Sequence, residues 1–254
     1  MDLNQSVADA CELLTKFVVP LYADEGGRPA LIGSGIFVRH EETNFLISAA
    51  HVLENLRVRH VYYYVSPSTT RKITGRLTMN VHAGSRDSDP LDLGAVQLEG
   101  VAQPPYPEVN KFSLSSTMLG SGRPASTTTR YAIIGYPASR SRIRRPADLI
   151  AEPYAYLAYS VEDEQYLREG LNRATHLCLS FDKKRSFDLF GQGRSFPKPH
   201  GVSGSPMFVI YDTKELEEER PFTLAGIVTT WVPHRKKIYG AGASIIQDML
   251  RAAA

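Results

Sequence analysis

Apolar residues come in short bursts along this chain, and the spacing within the bursts changes twice. Near the start, Val7, Ala10, Cys11 and Leu14 recur at three- and four-residue intervals, which predicts a short amphipathic helix from about Gln5 to Lys16. From Phe17 the pattern becomes that of strands. Phe17-Val18-Val19-Pro20-Leu21-Tyr22, Ala30 to Val38, Phe45 to Ser48 and Val61 to Val65 are brief runs rich in β-branched and aromatic residues. Turn-forming stretches such as Glu25-Gly26-Gly27 and His40-Glu41-Glu42-Thr43-Asn44 separate them. Repeated short strands with turn signals between them argue for a barrel or a sandwich. His51 to Leu56 reads as a helical turn. Further strands are expected at Tyr131 to Pro137, Leu177 to Phe181, Ser205 to Ile210 and Phe222 to Thr230, and a closing helix from Ile245 to Ala254. Gly120-Ser121-Gly122-Arg123-Pro124 marks a crossing, which divides the chain into residues 1–119 and 120–254.

Composition narrows the classes of function. The chain has 254 residues, a formal net charge of +2, 43% hydrophobic and 22% charged residues, an ordinary globular balance that predicts no general affinity for nucleic acid or membrane. No segment has the apolar length needed to cross a bilayer, and Met1-Asp2-Leu3-Asn4-Gln5 lacks the basic-then-apolar form of a signal peptide. The two cysteines, Cys11 and Cys178, are expected to be reduced thiols in a cytoplasmic protein, Cys178 within a core strand. Cys-x-x-Cys and His-Glu-x-x-His spacings are both absent, so no metal is expected, and no phosphate-cradling glycine loop is visible either.

Three segments carry chemistry. His200-Gly201-Val202-Ser203-Gly204-Ser205-Pro206 places a serine between glycines; Ile47-Ser48-Ala49-Ala50-His51 ends an apolar run in a histidine; Asp92 opens the apolar run Leu93-Gly94-Ala95-Val96. A serine hydroxyl is a weak nucleophile, activated when a histidine takes its proton and a carboxylate orients that histidine. Ser203 is therefore the candidate nucleophile, His51 the base and Asp92 the orienting carboxylate. Asp87 and Asp89 lie in a polar turn and His200 only three residues from Ser203, which makes them weaker candidates. Gly201 and Gly204 permit a tight loop in which the N–H groups of Gly201 and Ser203 form an oxyanion hole. Arg140-Ser141-Arg142-Ile143-Arg144-Arg145, the densest basic patch, is expected to be a solvated loop; its functional alternatives are a docking site for an acidic partner or an exposed cleavage site.

Together with Gly33-Ser34-Gly35-Ile36-Phe37-Val38 and Leu224-Ala225-Gly226-Ile227-Val228, these segments resemble the trypsin-like serine peptidases of chymotrypsin fold, in their bacterial, disulfide-free form. The matches follow the order His, Asp, Ser and span most of the chain. The resemblance implies an all-β protein of two six-stranded β-barrels, with His51 and Asp92 on the first and Ser203 on the second. It implies cleavage of a protein or peptide substrate through an acyl-enzyme, without a cofactor. It places the base of the substrate pocket at Pro197 and its wall at Thr229, Thr230 and Trp231, which offer no anion for an arginine or lysine side chain. Val202 stands where many secreted relatives carry the aspartate that pairs with a freed N-terminus, so activation by cleavage is not expected, and a regulatory protein partner is the alternative means of control. A catalytically idle module that binds peptides or scaffolds a complex is the other reading. An esterase is disfavoured, because Ser205 stands where a Gly-x-Ser-x-Gly elbow needs glycine.

Overall fold

The computed structural model describes residues 10–66, 69–80, 89, 91–120, 130–145, 148–181, 186–187, 193–194, 200–211 and 222–254. Residues 10–14 are helical and run through a 3-10 turn, Thr15–Phe17, into the first of two sheets, which is antiparallel except where a two-residue strand joins it in parallel. That sheet contains β1 (Val18–Glu25), β2 (Arg28–His40), β3 (Thr43–Ala49), β4 (Val61–Ser66), β5 (Thr69–Lys72), β6 (Gly75–Met79) and β7 (Leu93–Leu98), with β8 (Leu114–Ser115) paired to β2. Its order, β5-β4-β1-β2-β3-β7-β6, is a curled half-barrel.

The second sheet is built from β9 (Arg130–Gly135), β12 (Tyr154–Ser160), β13 (His176–Ser180), β16 (Pro206–Ile210), β17 (Phe222–Val232) and β18 (Lys237–Gly242). Its order is β13-β18-β17-β16-β9-β12, and pairing of Tyr159 with Ser180 and Ser160 with Leu179 brings β12 back to β13 and closes a six-stranded barrel. Two short strands, β14 (Ser186–Phe187) and β15 (Gly193–Arg194), extend it beyond β12. The all-β, two-barrel architecture expected from the sequence is present, with the first barrel curled rather than closed.

The sequence pattern explains the layering. Side chains of a strand alternate between faces. In β2, Phe37 points into the first barrel, whereas Ile36 and Val38 join a cluster shared by both sheets. In β9, Tyr131 and Ile133 fill the second barrel while Ala132 and Ile134 join the same shared cluster. Both faces are buried, so these strands read as continuous apolar runs. The helix Ala243–Ala253 contributes Ile246, Met249 and Leu250 to the shared cluster, and Cys11 and Leu14 enter it from the N-terminal end. The seam between the sheets is therefore a hydrophobic core in its own right.

The structure departs from the sequence reading in places. The Arg140–Arg145 run is not an open loop: β10 (Ser141–Arg145) pairs with β11 (Asp148–Ala151) as a hairpin, anchored at Ser141, whose hydroxyl is 2.8 Å from that of Tyr22. β12 and β18 were not among the predicted strands, although β12 is itself an apolar and aromatic run, Tyr154-Ala155-Tyr156-Leu157-Ala158-Tyr159. In β18, glycines break the run of side chains because the backbone of β17 is too close: a Cβ on Gly240 would lie 2.0 Å from the Ile227 carbonyl oxygen. Among the described residues no helix is long and apolar enough to cross a membrane.

Candidate active site

The site lies where the first sheet meets the second. β3 ends at Ala49, and one helical turn, α1 (Ala50–Leu53), follows. Ala50, Val52 and Leu53 are buried, so the turn is pinned from below and His51 is left on the exposed side, its side chain 43% accessible. Asp92 opens β7 beside it. The pairing of Ala49 with Leu93 sets the register that brings Asp92 under the turn.

Three hydrogen bonds join Asp92 to the histidine segment. The Ala50 N–H donates to the Asp92 backbone carbonyl at 2.7 Å. The His51 N–H donates to Asp92 Oδ1 at 2.9 Å, and His51 Nδ1 lies 2.5 Å from Asp92 Oδ2. An ionised carboxylate only accepts, so Nδ1 carries the proton and Nε2 of the neutral ring keeps its lone pair facing outward. Asp92 holds a left-handed conformation, φ +42°, which aspartate tolerates better than most residues. The approach to it is braced by Asp89, the rival carboxylate. Asp89 accepts from Asn80 Nδ2 and the Leu91 N–H, while Asn80 Oδ1 accepts from the Leu93 N–H. Asp89 thus shapes the turn and Asp92 faces the histidine. Asp87 lies outside the described residues.

The serine loop comes from the other sheet, immediately before β16. Gly201 and Gly204 have φ of +89° and +84°. The carbonyl oxygens along the loop are all engaged. His200 O accepts from the Ala138 N–H at 2.7 Å, Gly201 O from the Ser34 hydroxyl at 2.8 Å, Val202 O from the Ser205 N–H at 3.0 Å and Ser203 O from the Ser34 N–H at 2.8 Å. In a trans peptide the N–H points opposite to the preceding carbonyl. With the His200 and Val202 carbonyls tied down, the N–H groups of Gly201 and Ser203 face away from those bonds, and neither makes a hydrogen bond among the described residues. Two unclaimed amides on one tight loop can stabilise a developing oxyanion. Among the described residues the Ser203 hydroxyl makes no hydrogen bond to the His51 ring; such contacts are often loose until substrate is bound. His200 is exposed and engages the fold through its carbonyl.

Val202, beside Ser203, is 2% exposed and packs with Ala225 and Val228 in the second-barrel core. Of the expected pocket residues, Pro197 lies outside the described residues. Thr229 is the extra residue of a β-bulge between Val228 and Thr230, a device that redirects side chains beside a site. Thr229 is buried and Thr230 exposed, while Trp231 is half-buried against Phe181, ring centroids 6.1 Å apart. Described grooves of about 380 Å³ (near Arg235) and about 490 Å³ (near Leu56) are lined by none of these residues. Cys11 and Cys178 are free and buried in different clusters; burial pushes their thiols up, to about 12 and about 11 respectively. Among the described residues no group of His, Cys, Asp and Glu has the arrangement of a metal site.

Sequence reasoning had missed the supporting residues Ser34, Ser48, Asn80 and Asp89. For Ser34 there was a signal: a polar side chain between two glycines within an apolar strand.

No protein-family model matches the chain and no curated protein matches it. Solved structures do. The scabies mite inactivated protease paralogue S-I1 superposes with a TM-score of 0.59 at 12% identity, covering 94% of this chain and 95% of the other. The protein HBP superposes with a TM-score of 0.60 at 14% identity, covering 94% and 91%. Identities this low speak for the fold alone, and that fold, a curled first barrel and a closed second one with short helices at the ends, is chymotrypsin-like.

Proposed function

We propose that this protein is a serine endopeptidase that works through an acyl-enzyme, with Ser203 as nucleophile, His51 as general base and then acid, and Asp92 as the carboxylate that orients and stabilises the His51 imidazolium. The observation that carries this reading is a pair of features on either side of one seam: a histidine oriented by Asp92, and a serine loop with two unclaimed amides held by Ser34 of the same sheet as the histidine. Ser203 Oγ would attack the scissile carbonyl carbon as Nε2 takes its proton. The carbonyl oxygen, now negative, would accept from the Gly201 and Ser203 N–H groups. Collapse would expel the amine, which leaves with the proton from Nε2. Water then repeats the sequence on the ester and frees Ser203. No cofactor enters these steps. Thr229, Thr230, Trp231 and Pro197 would border the side chain on the acyl side of the cut, and nothing anionic among them favours arginine or lysine. Buried free thiols suit a reducing compartment such as the cytoplasm, and a protein or peptide is the substrate class. Burial of Val202 among apolar neighbours fits a loop that needs no pairing with a cleaved N-terminus, so that the intact chain is either active as it stands or controlled by a regulatory protein partner.

A second reading, a catalytically idle module of the same fold, is favoured by the missing contact between the Ser203 hydroxyl and His51. An inactivated protease paralogue among the fold neighbours belongs to the same picture. Labelling with a serine-directed fluorophosphonate separates the two. The endopeptidase reading expects covalent modification at Ser203, abolished in Ser203→Ala; a folded wild-type protein that stays unlabelled rejects it.

A further inference from the structure

Ser34 is fully buried in β2, part of the first sheet, yet most of its polar contacts lie across the seam. Its N–H donates to the Ser203 carbonyl at 2.8 Å and its hydroxyl donates to the Gly201 carbonyl at 2.8 Å. The same hydroxyl accepts from the Tyr136 N–H at 2.9 Å, and the Ser34 carbonyl accepts from the Ser48 hydroxyl at 2.6 Å. One residue therefore ties the serine loop to the segment after β9 and to the strand that leads to His51. The fit leaves no slack: a Cβ on Gly204 would lie 2.1 Å from the Ser34 carbonyl oxygen, and one on Gly201 would lie 2.6 Å from that of Tyr136.

Four peptide groups run from His200 to Gly204, and Ser34 holds two of them, 201–202 and 203–204. The two held elsewhere, 200–201 and 202–203, bear the unclaimed N–H groups. Fixing alternate peptide planes removes the rotations by which the planes between them could turn. We propose that Ser34 is a positioning residue: it locks the serine loop from the opposite sheet and so sets the direction of the Gly201 and Ser203 amides. In kinetic terms this rests on the endopeptidase reading; as a statement about the loop it does not. The lock is built from the folded chain itself and requires no cleavage to assemble.

Ser34→Ala removes the hydroxyl and keeps the backbone N–H. Labelling of Ser203 by a fluorophosphonate is expected to slow by about 10- to 100-fold, the scale of a small misplacement in a reacting site. The kcat for a peptide should fall with KM unchanged, and exchange of the Tyr136 amide, whose acceptor is the Ser34 hydroxyl, should quicken. The acid limb of the pH–rate profile should stay in place, because the bonds between His51 and Asp92 do not involve Ser34. Unchanged labelling per folded molecule, or a displaced acid limb, overturns the proposal. If the wild type is itself unlabelled, the endopeptidase reading fails and exchange alone decides: unchanged Tyr136 protection in Ser34→Ala rejects the lock, while lost protection supports it. If Ser34→Ala does not fold, the Tyr136 amide of the wild-type protein decides. Exchange as slow as global unfolding supports the lock, and fast exchange refutes it.

Discussion

The two halves of the candidate site are held in place by different means. His51 is fixed by a single charged side chain, since Asp92 bonds both its ring and its backbone N–H. Ser203 is fixed by its backbone, through four engaged carbonyl oxygens and two glycines in left-handed conformation. The first half is thus vulnerable to a loss of charge that leaves the shape intact. The second is vulnerable to a gain of size that leaves the charge intact. A base must change protonation during turnover and needs a counter-charge. An oxyanion hole must not move at all and needs rigid dipoles.

That contrast can be broken most directly by removing the reacting groups. Ser203→Ala and His51→Ala are each expected to lower turnover by roughly 10⁵- to 10⁶-fold, and the double variant little further, because the two act as a unit. Effects that multiply instead would mean that the halves work independently. Asp92→Asn is expected to cost about 10⁴-fold in kcat with the fold preserved, because an amide stabilises the wrong tautomer of the ring. Retention of most activity would show that His51 needs no counter-charge.

Gly204→Ala tests the other half. The added Cβ would lie 2.0 Å from Ser48 Oγ and 2.1 Å from the Ser34 carbonyl oxygen, at a φ of +84°. Strain and overpacking together should cost about 3 kcal/mol, seen as a melting temperature lower by about 6–12 °C. A variant as stable as the wild type would mean that the loop is looser than its contacts imply. Deleting residues 1–9 should leave turnover essentially unchanged, since the loop is locked internally; a large gain on trimming would point to activation by cleavage. The smallest effect is expected at the thiols. Cys11 and Cys178, buried and with raised pKa, should resist alkylation in the folded protein at pH 8, and reductant should not move the melting temperature. Rapid modification of either cysteine would contradict its burial.

Much of the fold was legible along the chain. Strands buried on both faces, such as β2, β3 and β16, announced themselves as apolar runs, because both faces needed hydrophobic residues. β10 and β11 were not legible in this way. Their hairpin carries the arginine run, and charge patterning reports solvent exposure rather than pairing. β18 was hidden because its pairing depends on glycines that give no periodic signal.

The sequence by itself determined which residues could do the chemistry, since side-chain type and the order of His51, Asp92 and Ser203 are properties of the chain. It also settled the all-β character, through the period of its apolar positions. Only the tertiary structure decided which carboxylate faces His51: Asp89 and Asp92 are three residues apart and similarly buried, and the pairing of β3 with β7 directs one to the ring and the other to Asn80. Only the tertiary structure could give Ser34 its partners across the seam, which lie between 102 and 169 positions away in the chain. Hydrogen bonds over such separations leave no local pattern, because they are selected by the packing of two sheets and not by the neighbours of either residue.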